Sequence, residues 1–221
     1  MTAATQKAYI GMGMEGPIAR WYEKTTRKDM DEFRKLAARL RDLLPNGGDV
    51  LEVAPGPGFL SVELARTPQL RITALEISRT FVEIARRNAA VADVTVNIVQ
   101  GNAAAMPFAD SSFDLLVCRA AFKNFAEPAQ ALREMRRVLR PGGRALIADL
   151  CKDVSMTEIN RYFDRIELSA WDRWFTRIAF RLMLLKRAYT VDSMQALIAP
   201  IGFSKTRIDS INIGMEIWLE K

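Results

Sequence analysis

The chain has 221 residues, 49% hydrophobic and 26% charged, the balance of an ordinary globular protein with enough length for one full α/β core. It contains no histidine, which excludes an imidazole base, a Ser-His-Asp triad and a His-ligated metal, so no metal site is expected. The net charge of +6 comes from basic residues scattered along the chain, not gathered in one tract, so it reads first as a solvated surface.

No uninterrupted apolar run of about 18 residues occurs, so a transmembrane helix is not expected. The opening MTAATQKAYIGMGMEG lacks the apolar stretch of a secretory signal. Cys118 and Cys151 make no disulfide framework and read as small buried hydrophobes, so a cytoplasmic location is expected.

Residues 1–46 carry helical patterns, including DMDEFRKLAARLRDLL at 29–44, and read as an N-terminal helical cap. DVLEVA (49–54) begins an alternation of strand and helix. A helix is predicted at about 58–66, a strand at 71–76, a helix at 78–92 and a strand at 94–100. FDLLVCR (113–119) is a fourth strand, EPAQALREMRRVLR (127–140) a helix, and RALIADL (144–150) a fifth strand. Pro128 in the first turn of that helix and Pro-Gly-Gly at 141–143 are start and stop signals in the expected order. Strands separated by helices of this length imply parallel βαβ units, with residues 47–150 as a cofactor-binding core. Residues 151–189 hold an aromatic-rich helical insertion, and residues 190–221 a helix followed by two strand-like runs joined at Gly214. The whole chain reads as a single domain.

LEVAPGPGF, at 51–59, places an acid inside the first strand and two glycines in the turn after it. A nicotinamide-dinucleotide fingerprint, G-x-G-x-x-G from Gly56, would need glycine at 61, where Ser61 stands. The spacing Glu52-x-Ala54-x-Gly56-x-Gly58 instead puts an acid before three small residues at alternate positions. That pattern suits a backbone lying flat against an adenosyl and amino-acid ligand, with no pyrophosphate for a helix N-terminus to hold.

LEVAPGPG, LEIS, GNAAAMPF, SSFDLLVCRAAFKNF and LRPGGRALIADL, in this order and spacing, resemble the class I S-adenosylmethionine-dependent methyltransferases. The likeness is nearest to the small-molecule branch typified by quinone-biosynthesis enzymes. It implies a doubly wound, Rossmann-like, mostly parallel sheet with a C-terminal antiparallel hairpin and helical lid insertions. It also implies S-adenosylmethionine as cofactor. Glu52, Ala54, Pro55, Gly56 and Gly58 match the motif that holds the methionine end of that cofactor. Ala54 stands where the family usually has glycine, and is expected to be tolerated as a small residue. Glu76 matches the acid that accepts from both ribose hydroxyls, with Ile77 beside it. Asn102 takes the place of an aspartate facing the adenine amino group, and Ala103 the place whose backbone meets an adenine nitrogen. Arg119 and Ala120 fall beside the cofactor's amino acid and methyl group.

For the acceptor the residues leave more open. Tyr9, Tyr22, Phe122, Asn124, Trp171 and Trp174 are candidate substrate contacts, and Tyr22 and Lys123 candidate catalytic groups. Tyr9, Glu23 and Asp149 complete the set of potential bases, although an anionic acceptor would need none. Lys123 also reads as an exposed lysine opening a loop, or as a charge depressing an acceptor's pKa. In 171–187 the aromatic and leucine residues share one helical face and Arg173, Arg177 and Arg181 another. This stretch is expected to form a lid over an apolar small-molecule acceptor, with core cladding and peripheral membrane contact as its alternatives. Nucleic acid is disfavoured as a partner, because CRAAF at 118–122 lacks the Pro-Pro-aromatic and Pro-Cys signatures of base methylators. An RNA methyltransferase and a non-catalytic cofactor-binding protein remain the rival readings, and oligomeric state is not legible.

Overall fold

The computed structural model describes residues 9–10, 13–155, 157–159, 161 and 186–221. Seven strands form one sheet: β1 Gly48–Val53, β2 Leu70–Glu76, β3 Asn97–Gln100, β4 Phe113–Arg119, β5 Leu139–Leu150, β6 Lys205–Ile211 and β7 Gly214–Glu220. Their spatial order is β3-β2-β1-β4-β5-β7-β6. The first five run parallel, whereas β7 pairs antiparallel with both β5 and β6. The described helices are α1 Gly16–Thr26, α2 Met30–Arg41, α3 Phe59–Ala65, α4 Arg79–Val91, α5 Pro128–Val138 and α6 Val191–Ile198.

The central strands are buried on both faces, as parallel strands with helical cover must be. Val50, Leu115 and Leu146 enter one apolar cluster with Phe33, Leu36 and Leu40 of α2 and Leu60 of α3. Their neighbours Leu51, Leu116 and Ile147 enter another with Leu132 and Met135 of α5 and Met194 of α6. A two-residue strand period thus sends adjacent side chains to opposite layers. The chain builds outward from β1 to β3, then returns to place β4 against the other edge of β1. That reversal opens a crevice at the carboxyl ends of β1 and β4, the place where doubly wound sheets bind ligands.

Two boundaries differ from the sequence reading. β3 begins at Asn97, because residues 94–96 lie outside the ladder with β2. β5 begins at Leu139, which pairs with Phe113 before a register shift sets Leu115 opposite Arg144. Pro-Gly-Gly therefore bulges within the strand. Gly142 there has φ +77°, and its amide donates to the Lys221 carbonyl at 2.9 Å. At α6, Thr190 and Ser193 form a reciprocal capping box.

Trp171, Trp174 and nearly all of the predicted 155–187 insertion lie outside the described residues, as do the expected lid and membrane-facing stripe. Among the described residues no helix is long and apolar enough to cross a membrane.

Candidate active site

Glu52 and Glu76 define the crevice. Glu52 lies near the end of β1 and is only 3% exposed; Glu76 closes β2 at 4% exposure. Burial pushes the Glu52 carboxyl up to about 7, although hydrogen bonds from Ser61 and the charge of Arg119 oppose it. The Ser61 hydroxyl donates to Glu52 Oε2. Ser61, read from sequence only as a missing glycine, is therefore the acid's partner. Glu76 is also pushed up by burial, against backbone hydrogen bonds that favour its ionised form. Its Oε2 accepts from Gly56 N at 3.0 Å and its Oε1 from Ser78 N at 2.9 Å.

The turn after β1 is as tight as its glycines suggest. A Cβ on Gly58 (φ +78°) would come within 2.8 Å of the Ala85 Cβ on α4. Gly56 lies under Tyr22, whose ring carbon Cε1 would sit 3.8 Å from a Cβ at that position. Asn88 of α4 donates to the Pro57 carbonyl at 2.9 Å and fixes the turn from behind. Ala54 has φ +56°, and Ala120, at the end of β4, has φ +57°. Left-handed backbone costs an L-residue about 1–2 kcal/mol. Ala54 is therefore more than a small-for-small exchange. Glycine suits this position for its backbone as well as its size.

The N-terminal segment is sewn onto the start of α4, beside the end of β2. Glu15 accepts from Arg79 N and Thr80 N, each at 3.0 Å, and so caps α4 from a distant part of the chain. The Ser78 hydroxyl donates to the Met14 carbonyl at 2.7 Å. From α1, Glu23 pairs with Arg27 and Arg87. Burial pushes its carboxyl up, but hydrogen bonds from Arg87 and Arg27 outweigh that and hold it low. Glu23 is thus committed to structure and is no free base.

Several expected roles change. Tyr22 does cover the crevice, but burial raises its hydroxyl pKa against the opposing charge of Arg119, which keeps it protonated and a poor base. Phe122 is fully buried and packs against Phe125 and Tyr189, so it supports the loop and presents no ring to an acceptor. Lys123 is no exposed loop lysine: it is 6% exposed, with Nζ 2.8 Å from Asp149 Oδ1. Asn102 spends its side-chain oxygen on the Ala104 amide at 2.9 Å, which leaves its NH₂ group as the donor for a ligand. Arg119 lays its guanidinium over the Phe33 ring at 4.6 Å, and its charge reaches Glu52 and Tyr22.

Tyr9 bridges to Phe125, and the Ile10 amide donates to the Asn124 carbonyl at 2.7 Å. The structure therefore brings Tyr9 and Asn124 together at the segment that follows β4. Pro55 is buried in the turn, Ile77 is half-buried beyond Glu76, and Ala103 packs against the core beside Asn102. Cys118 is buried, and that burial pushes its thiol well up, as suits a packing residue. Sequence reasoning passed over Glu15 and Asn88, whose partners are distant in the chain and carry no local signature.

The described residues suit a ligand bearing positive charge. Glu52, buried inside β1 beside the turn, would repel a pyrophosphate there, whereas a cationic group would offset the cost of burying it. Glu76 also presents two acceptor oxygens where a vicinal diol can meet them.

Comparison with known proteins agrees with this geometry. A family model described as a methyltransferase domain matches residues 51–147. A demethylmenaquinone methyltransferase of Deinococcus radiodurans is 35% identical over 121 residues, covering 54% of this chain and 50% of that protein. The ubiquinone/menaquinone biosynthesis C-methyltransferase UbiE of Geotalea daltonii is 28% identical over 192 residues, covering 83% of this chain and 81% of that one. The match thus spans about half the length of the first relative and most of the second. A crystal structure from Methanococcus maripaludis, described as an S-adenosyl-L-methionine-dependent methyltransferase, superposes with TM-score 0.75 at 23% identity, covering 96% of this chain and 95% of that one. Sheet order and glycine turn define a Rossmann-like fold. Residues 51–147 match a methyltransferase domain, and the chain resembles the quinone-biosynthesis branch of the S-adenosylmethionine-dependent methyltransferases.

Proposed function

We propose that this chain transfers a methyl group from S-adenosylmethionine to a carbon of a small, apolar, quinol-type acceptor. The observation that carries the reading is the buried pair Glu52 and Glu76 at the ends of β1 and β2, which fits a cationic adenosyl cofactor. The names of the quinone-biosynthesis relatives support the acceptor class.

When bound, the cofactor supplies an electrophilic methyl group on a positively charged sulfur that leaves as a neutral thioether. Glu76 would hold the ribose diol, the Ala54–Gly58 turn the amino-acid end, and Asn102 with Ala103 the adenine. Tyr22 and α1 exclude water over Gly56, which sharpens alignment at about 3 Å between methyl and acceptor. With Tyr22 protonated and Glu23 ion-paired, the electrons come from the acceptor itself: an ionised quinol attacks from its ring carbon and then passes the ring proton to solvent water as the aromatic ring re-forms. We assign the acceptor to the Tyr9–Asn124 side. Transfer of labelled methyl to a short-chain demethylmenaquinol, with catechol and transfer RNA as controls, tests this. Label in the quinol alone supports the reading; label in RNA alone, or in nothing, overturns it.

A further inference from the structure

We propose that Lys123 and Asp149 form a clamp that sets the turn after β4, and so the wall facing the transferred methyl, without exchanging a proton with the acceptor. The inference rests on the methyltransferase reading above.

The clamp closes on one lysine from both ends. Asp149, near the end of β5, accepts Lys123 Nζ at Oδ1 (2.8 Å) and the backbone amide of Lys123 at Oδ2 (2.9 Å). Lys123 Nζ also reaches back to donate to the Ala120 carbonyl at 2.7 Å. Ala120 is the residue held at φ +57°, and its amide donates to the Ala148 carbonyl at 2.7 Å. A non-glycine residue in the left-handed region persists only where its surroundings over-determine it. Here a β5 carbonyl fixes one side of Ala120 and the ammonium the other.

The side chains are 5% and 3% exposed, so water does not compete for these bonds. A lysine with two of its three protons committed, one to a buried carboxylate, is built to hold position. β4 neighbours β1, with Val117 opposite Glu52. The clamped turn therefore stands beside Ala54 and Gly56, at the crevice where methyl and acceptor meet.

Removing one partner would strand a buried charge, so the decisive variants are Lys123→Arg and the double change Lys123→Met/Asp149→Asn. Arginine cannot give up its proton, yet it can still donate to Ala120 and Asp149. The clamp predicts that Lys123→Arg keeps at least a third of wild-type kcat with an unchanged pH profile. The double variant is expected to lose roughly 100-fold in kcat, the scale of a misplacement of about 1 Å. Its KM for S-adenosylmethionine should stay within about threefold. Ala120→Gly, free to adopt the turn unaided, should recover part of the loss in the double variant. A dead Lys123→Arg enzyme that binds S-adenosylhomocysteine normally but lacks one limb of its pH profile would make Lys123 a proton carrier and overturn the clamp. So would a double variant with kcat within twofold of wild type. If the double variant fails to bind S-adenosylhomocysteine, Lys123→Arg decides alone. Amide exchange separates this test from the functional reading. The Ala120 amide, bonded to the Ala148 carbonyl, should be protected in wild type and exchange faster in the double variant even if no acceptor is methylated; equal protection in both overturns the clamp.

Discussion

Gly56 N donates to Glu76 Oε2 at 3.0 Å, joining the turn after β1 to the end of β2. The acid expected to grip the ribose thus also shapes the loop expected to grip the methionine end. Loss of Glu76 frees the turn and, on the proposed reading, removes the ribose contact at once.

Glu76→Ala should therefore weaken S-adenosylhomocysteine binding far more than Asn102→Ala. Hydrogen bonds to a charged acceptor are worth about 1.5–3 kcal/mol and a neutral one about 0.5–1.5 kcal/mol. Calorimetry should show a loss of roughly 10- to 150-fold for Glu76→Ala and about tenfold or less for Asn102→Ala. Equal losses would mean that the ribose is held elsewhere.

Glu52 gives the site a pH dependence whose sign is fixed by its burial. With a folded-state pKa raised to about 7, it takes up a proton on folding between its unfolded value and 7. Its contribution to stability is full below the unfolded value, near 4.3, and is lost as pH rises through 7. A cationic ligand favours the ionised form, so binding should release a proton and tighten with rising pH. Titrations from pH 6 to 8 should show affinity rising, by at most about tenfold per unit below 7. Glu52→Gln should flatten that slope. An unchanged slope would assign it to another group.

Ala54→Gly should stabilise the protein. Relief of the left-handed backbone is worth about 1–2 kcal/mol, against about 0.5–1 kcal/mol for glycine's extra freedom in the unfolded chain. The net gain should be up to about 1.5 kcal/mol, read as a higher Tm with cofactor affinity retained. A lower Tm would show that the alanine methyl makes contacts worth more than the strain.

Much of this was legible where a signal is local. Ser78 caps α4 through its bond to the Phe81 amide, Pro128 opens α5, and alternating apolar pairs such as Val50 and Leu51 mark strands buried on both faces. What depends on distant partners was not legible. Lys123 reads as a surface lysine until β5 folds beside β4 and brings Asp149 to it. Ala54 and Ala120 adopt glycine-like backbone with no residue type to announce it. Phe122 resembles a loop aromatic awaiting a ligand until Phe125 and Tyr189 close around it.

Glu15→Ala should loosen the N-terminal segment from α4. Burial raises the Glu15 pKa, but bonds from Thr80, Ser78 and Arg79 outweigh it and hold the carboxyl low, so its anchoring is present above about pH 4.3 and lost in acid. Limited proteolysis at neutral pH should cut the variant within 13–26 sooner than wild type, with protection restored less fully by S-adenosylhomocysteine. Identical cleavage rates would mean that the remaining bonds, among them Ser78 to Met14 and Arg87 to Glu23, hold the segment without Glu15.

The central claim is that Glu52, buried in β1 beside the glycine turn, selects a cationic adenosyl cofactor over a dinucleotide. Calorimetric titration of the full chain with S-adenosylmethionine and with NAD tests it most directly. The account predicts saturable heat with S-adenosylmethionine at micromolar concentration, reduced in Glu76→Ala, and none with NAD; saturable heat with NAD and none with S-adenosylmethionine would contradict it.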